Sequence, residues 1–196
     1  ELSKDLIISF LNEVIQQEVI VDITFRNVEM LGLKQDQRRA VFDIFCENEK
    51  GEVFIVEMQK SRQKYFSDRV LYYASFAIQQ QTMIVKEKLE KEPDEAVRKR
   101  WNYQINKVYV ICVLNYIMEP SLPDKYRWDI VRMDRELKVP FSETLNEIYL
   151  EMPKFVLPLH ECDTLYKKWL YVLNNIEIME RLPKELNNQI FRKLKS

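Results

Sequence analysis

Residues 40–59 read AVFDIFCENEKGEVFIVEMQ, two runs rich in β-branched and aromatic residues on either side of Asn48-Glu49-Lys50-Gly51, and this spells a β-hairpin. A loop of Glu49, Lys50 and Gly51, with glycine where a positive φ is needed, sets Asn48 opposite Glu52 and Asp43 opposite Glu57. Strand side chains alternate, so Phe42, Ile44, Cys46, Phe54, Val56 and Met58 share one apolar face, while Asp43, Phe45, Ile55, Glu57 and Gln59 share the other. Two facing carboxylates on strands this apolar repel each other and are poorly solvated. Either one stays protonated or a cation sits between them. Hard oxygen ligands from Asp43 and Glu57, a backbone carbonyl and waters suit Mg²⁺ or Mn²⁺, and no His or Cys shares their strand face to favour zinc. The spacing alone leaves a second arrangement open, with Asp43 paired to Arg38, Arg39 or Arg69 and Glu57 at a solvated strand end.

Outward from the hairpin, helical and strand patterns alternate. Ser3 is placed to cap a helix from Lys4 to Gln17, whose apolar residues Leu6, Ile7, Phe10, Leu11, Val14 and Ile15 recur at three and four. Val19 to Phe25 reads as a strand. Ser61 to Glu90 contains neither Gly nor Pro and repeats helically until Pro93, which predicts a long helix with a charged, protruding end. Lys107 to Tyr116 is a Val- and Ile-rich run that reads as a strand buried on both faces. Trp128 to Asp134 and Glu147 to Met152 read as further strands, Thr164 to Glu180 and Lys184 to Lys195 as closing helices. The expected fold is α/β, a mixed β-sheet flanked by helices, with residues 1–196 forming one domain and no linker between parts.

Composition removes several functional classes. Glycine occurs only at Gly32 and Gly51, which leaves no Gly-rich loop for nucleotide phosphates. His160 is the one histidine, so a His-rich metal site or a Ser-His-Asp hydrolase has no basis. Cys46, Cys112 and Cys162 are odd in number and set among apolar neighbours, as reduced packing residues of a cytoplasmic protein would be. With 30 Lys and Arg against 31 Asp and Glu, no global field draws the chain to nucleic acid or an anionic membrane, so any such binding is local. No apolar run approaches the roughly 20 residues a membrane span needs. A start at Glu1, with a helix almost at once, predicts a fragment of a longer chain.

The ordered series Asp43, thirteen residues, then Glu57-Met58-Gln59 resembles the core of the PD-(D/E)xK nuclease superfamily, in its transposase-like, recombination-promoting branch. The likeness also rests on residues 4–13 (KDLIISFLNE), on Val56-Glu57-Met58-Gln59, on Arg69-Val70-Leu71-Tyr72-Tyr73-Ala74-Ser75, on residues 108–115 (VYVICVLN) and on Glu151-Met152-Pro153-Lys154-Phe155, so it covers most of the chain. It implies a restriction-endonuclease-like core and a metal-dependent DNA endonuclease, hydrolysing phosphodiesters and promoting recombination. Asp43 and Glu57 would hold Mg²⁺ or Mn²⁺, with Gln59 where the wider superfamily has lysine. Phe42 replaces the proline of the superfamily's name, a residue that only shapes the strand. Gln59 is the weightier departure: an amide cannot act as general base, but it can orient the attacking water or bond a phosphate oxygen. The first helix of such nucleases often lends another acid to the metal, for which Glu13 is the candidate, against a plain solvated helix face.

DNA contacts are expected from Lys60 and Arg62 after the hairpin and from Arg69 and Tyr73, four apart on one helix face. Ion pairing of Arg69 and edge packing of Tyr73 are the structural alternatives. Arg98, Lys99, Arg100, Trp101 and Tyr103 form a basic, aromatic cluster that reads first as a solvated charge run. Tyr72, Phe76 and the Trp169 to Leu173 run read as core. Cutting both strands of a duplex makes a homodimer plausible. The rival reading is a catalytically inactive nuclease-like module that binds DNA or protein.

Overall fold

The computed structural model describes residues 3–17, 19–26, 29–30, 40–41, 43–91, 93–94, 103–176, 178–179, 183–186 and 190–194. Helix α1 (Lys4–Ile15) is followed by β1 (Ile23–Phe25), β2 (Glu29–Met30), β3 (Ala40–Val41), β4 (Ile44–Asn48) and β5 (Val53–Gln59). Helix α2 (Phe66–Glu90), β6 (Val108–Leu114), β7 (Arg127–Met133), β8 (Pro140–Glu151) and α3 (Leu165–Asn175) complete the order, with short 3-10 turns between β8 and α3 and after α3. Six strands form one sheet in the order β1-β4-β5-β6-β8-β7, and β2 pairs with β3 apart from it. Strands β5, β6 and β8 run parallel at the centre. This is the mixed sheet with flanking helices that the pattern of residues predicts.

The hairpin has the expected register. Phe45 pairs with Ile55 and Cys46 with Phe54, Asn48 N–H donates to Glu52 O at 3.0 Å, and Gly51 takes φ +78°. The backbone conformation at Gly51 calls for glycine, whereas the nearest atom to a Cβ there, Asn106 Nδ2 at 2.5 Å, is the end of a flexible side chain. On one side of the sheet, Ile44, Cys46, Phe54 and Val56 pack with α1 and α3. The Phe10 and Trp169 rings meet edge to face at 5.8 Å across those helices. On the other side, Phe45, Val53 and Ile55 pack with Val70, Ala74 and Ala77 of α2. The face carrying the acids is therefore a second core layer and not merely a polar face. Strand β6, buried at every residue, is sandwiched between these layers as its unbroken apolar run predicts.

Several boundaries differ from the sequence reading. Helix α1 stops at Ile15, where Gln16 turns left-handed at φ 56°, and Ser3 precedes the helix without a side-chain cap. The Val19 to Phe25 strand shrinks to Ile23–Phe25, because the Asn12 side chain takes both backbone groups of Ile20, at 2.7 and 2.9 Å. The Ala40 to Glu47 strand breaks in two, with Ala40–Val41 pairing to β2 and Asp43 at a bend before β4. The long helix begins at Phe66 instead of Ser61, since residues 60–65 carry the chain from the end of β5 onto the sheet face. Strand β8 reaches back to Pro140, paired with β7 through a bulged register that masks the alternation. The helix starting at Thr164 ends at Asn175, and within Lys184 to Lys195 the described residues form two short 3-10 turns. Phe76 is buried, but Tyr72 is 40% exposed and is not core. Arg38, Arg39, Phe42 and Arg98 to Trp101 lie outside the described residues.

Candidate active site

The site forms where β5 reaches the carboxyl end of the parallel strands and α2 begins. Strand alternation turns Glu57 and Gln59 toward α2, and both are buried, at 6% and 9% exposure. Asp43, at the bend before β4, is exposed, and its Oδ2 accepts the Met58 N–H at 2.5 Å. That bond fixes one carboxylate against the peptide that follows the other. The hairpin thus brings Asp43 and Glu57 together, although the β4–β5 ladder ends one pair short, at Ile44 and Val56.

Glu57 has a divided environment. Oε2 lies 3.7 Å from Arg69 Nη2, whereas Oε1 is buried with no hydrogen-bond partner among the described residues. An anionic oxygen left this way is costly unless a proton or a cation joins it. Burial first, and the Asp43 charge second, push the Glu57 carboxyl up to about 7 against the opposing pull of Arg69. An orphaned hard oxygen beside a second, anchored carboxylate is the donor chemistry of an Mg²⁺ or Mn²⁺ site. The two acids, with backbone carbonyls and waters, could hold one.

Arg69 is the hub on the opposite side. Its Nη2 donates to Gln59 Oε1 at 2.6 Å and its Nη1 to Gln63 Oε1 at 2.6 Å. The guanidinium lies 5.0 Å from the Phe66 ring centre and 5.4 Å from that of Tyr73. The Gln59 amide is held at its other end too, Nε2 donating to Ser61 O at 2.7 Å. Arg69 therefore offsets only part of the Glu57 charge while it orients Gln59, and it is Glu57, not Asp43, that it pairs with. A phosphate contact by Arg69 would have to use the second N–H of Nη1, since Nη1 donates to Gln63 at an exposed position while Nε is buried with no partner among the described residues.

Lys60 and Arg62 are exposed on the segment after β5, and Tyr73 is half-buried beside Arg69. Glu13 lies on α1, and among the described residues no three His, Cys, Asp or Glu side chains gather as metal ligands. The structure therefore does not bring Glu13 into a three-acid cluster with Asp43 and Glu57, because α1 packs on the other face of the sheet from Glu57. Two neighbours escape sequence reasoning. Gln63 precedes the helix and carries no pattern, and Cys112 comes beside Glu57 only through the β5–β6 register. Burial holds the Cys112 thiol well above the usual range, with Glu57 and Glu147 adding to it. All three cysteines are buried and free.

A family model described as PD-(D/E)XK nuclease family transposase matches residues 1–196. No curated protein matches the chain, and no solved structure does. None of the described helices is long and apolar enough to cross a membrane.

Proposed function

Since the chain belongs to the PD-(D/E)XK nuclease family transposases, we propose that it is a divalent-metal-dependent DNA endonuclease. The observation that carries this reading is the buried Oε1 of Glu57, without a partner among the described residues, next to the anchored carboxylate of Asp43. Bound between them, Mg²⁺ or Mn²⁺ would make a coordinated water acidic and offset charge on the phosphoryl oxygens. Gln59, its amide oriented by Arg69 and Ser61, has a lone pair left on Oε1 to steer the attacking water. Lys60 and Arg62, exposed on the segment after β5, contact the DNA backbone. With one such site per chain, cleavage of both strands calls for a homodimer. A cytoplasmic setting keeps the cysteines reduced, and the cuts promote recombination.

A second reading follows from the same amide. Both ends of Gln59 are occupied, which suits a nuclease-like module that binds DNA without turnover. Supercoiled plasmid separates the two. The nuclease reading expects nicked or linear product with Mg²⁺ or Mn²⁺ and none with EDTA. It also expects metal at a hundredfold excess over its dissociation constant to add about 2.7 kcal/mol of stability. For a chain of this size that raises the melting temperature by roughly 5–10 °C. Intact plasmid with every divalent metal, together with an unmoved melting temperature, refutes it.

A further inference from the structure

Beside the metal site, on the outer face of the first turns of α2, lies a groove of about 730 Å³ lined by Tyr65, Asp68, Arg69, Tyr72 and Tyr73. Arg69, Tyr72 and Tyr73 are three and four apart on α2 and Tyr65 immediately precedes the helix, so the rings flank Arg69 on both sides along the groove. Two of the rings are presented to solvent, Tyr65 at 64% and Tyr72 at 40% exposure. Tyr72 is held upright by the buried Phe76, whose ring meets it edge to face at 4.8 Å. Lys64 lies 5.2 Å from the centre of the Tyr65 ring. Lys64 also lines the groove, and Lys60 and Arg62 are exposed on the segment that leads to it from the end of β5.

We infer that this groove is a subsite for an unpaired nucleotide of the DNA strand next to the cut, its base stacked against Tyr65 and Tyr72. Three observations favour that occupant. The groove is continuous with the metal site, because Arg69 lines it while bonding Gln59 and pairing with Glu57. Its cations match a phosphodiester backbone, whereas its rings offer π faces, which any base can stack on but a duplex keeps inside its own stack. Asp68, the one carboxylate in the lining, can accept from a base N–H. The substrate class is then DNA with single-stranded character at the cleavage point, such as a frayed end or a branch. This rests on the proposed nuclease reading for its role, but not for its binding.

The test is fluorescence anisotropy of a labelled oligothymidylate and of a blunt duplex, in EDTA and low salt, so that no cleavage intervenes. Tyr65→Ala and Tyr72→Ala, both at exposed positions, should each weaken oligothymidylate binding about tenfold or more, the scale of one lost base stack. Tyr72→Phe should retain it, and duplex affinity should stay within about twofold. Unchanged oligothymidylate affinity in both alanine variants, an equal loss on duplex, or no binding by the unmutated chain would overturn the subsite. A chain that never cleaves plasmid but shows these losses keeps the subsite and loses only the nuclease reading.

Discussion

Glu57→Gln is expected to lower metal-dependent plasmid cleavage at least about a thousandfold, the scale of several kcal/mol of lost transition-state stabilisation. The substitution keeps the shape of the side chain and an oxygen for Arg69, but it removes the negative charge that makes the buried carboxylate a metal ligand. A second, independent signature appears in stability. The Glu57 carboxyl moves from an ordinary 4.5 to about 7 in the folded chain. Between those values the folded state still holds a proton that the unfolded chain has lost. Stability without metal must therefore fall as pH rises from about 4.5 to about 7, and level off above. At roughly 1.4 kcal/mol per pH unit the fall attributable to Glu57 is about 3 kcal/mol. Glutamine does not titrate, so the variant should lose that slope. Urea unfolding from pH 5 to pH 8, in EDTA, reads it directly. Cleavage within tenfold of the unmutated chain, or an unchanged slope, would remove Glu57 from the site.

Lys154→Met should unfold the protein more easily by about 3–5 kcal/mol, the cost of leaving a buried charge without its partner. Lys154 Nζ lies 2.9 Å from Glu151 Oε2, and the two side chains are 2% and 0% exposed. The carboxylate also accepts from Trp128 Nε1 at 2.6 Å and from Met118 N–H at 2.9 Å. The ammonium donates to the carbonyls of Glu119 and Lys125 at 2.8 and 3.2 Å. Every polar group is satisfied, so losing Nζ strands an anion and two carbonyls at once. The network ties the segment after β6 to the end of β8, where Glu151 pairs in register with Leu114 and Leu114 with Gln59. For this chain length the melting temperature should drop by roughly 10 °C or more. Adding Glu151→Gln to Lys154→Met removes the stranded charge and should recover part of the loss. A drop of under about 1 kcal/mol in the single variant would contradict the assignment.

The hairpin was legible because its information is local. Gly51 fixes the turn, the turn fixes the register, and alternation then carries Glu57 and Gln59 to one face. Strand β6 was legible for a similar reason, since seven consecutive buried residues leave a continuous apolar run. What the residues did not reveal depends on contacts far apart in the chain. Strand β1 starts late because Asn12, on α1, captures the backbone of Ile20. Asp43 meets the Met58 N–H from a bend instead of from the ladder, a detail that alternation cannot supply. The role of Arg69 depends on where α2 begins relative to β5, which places one guanidinium between Glu57, Gln59 and two rings. Helical spacing alone linked Arg69 only to Tyr73. The Glu151–Lys154 pair, three residues apart, gave no sign of burial in a sequence where charged residues are common.

The central claim is that Asp43 and Glu57 grip one divalent cation at the end of β5. A crystal soaked in Mn²⁺ and measured at the manganese absorption edge tests it without any assay of activity. An anomalous peak within coordination distance of Asp43 Oδ and Glu57 Oε1, with Arg69 still bonded to Gln59, is the predicted result. Full soaking with no peak there, and Glu57 bound to Arg69 through both oxygens, would contradict it.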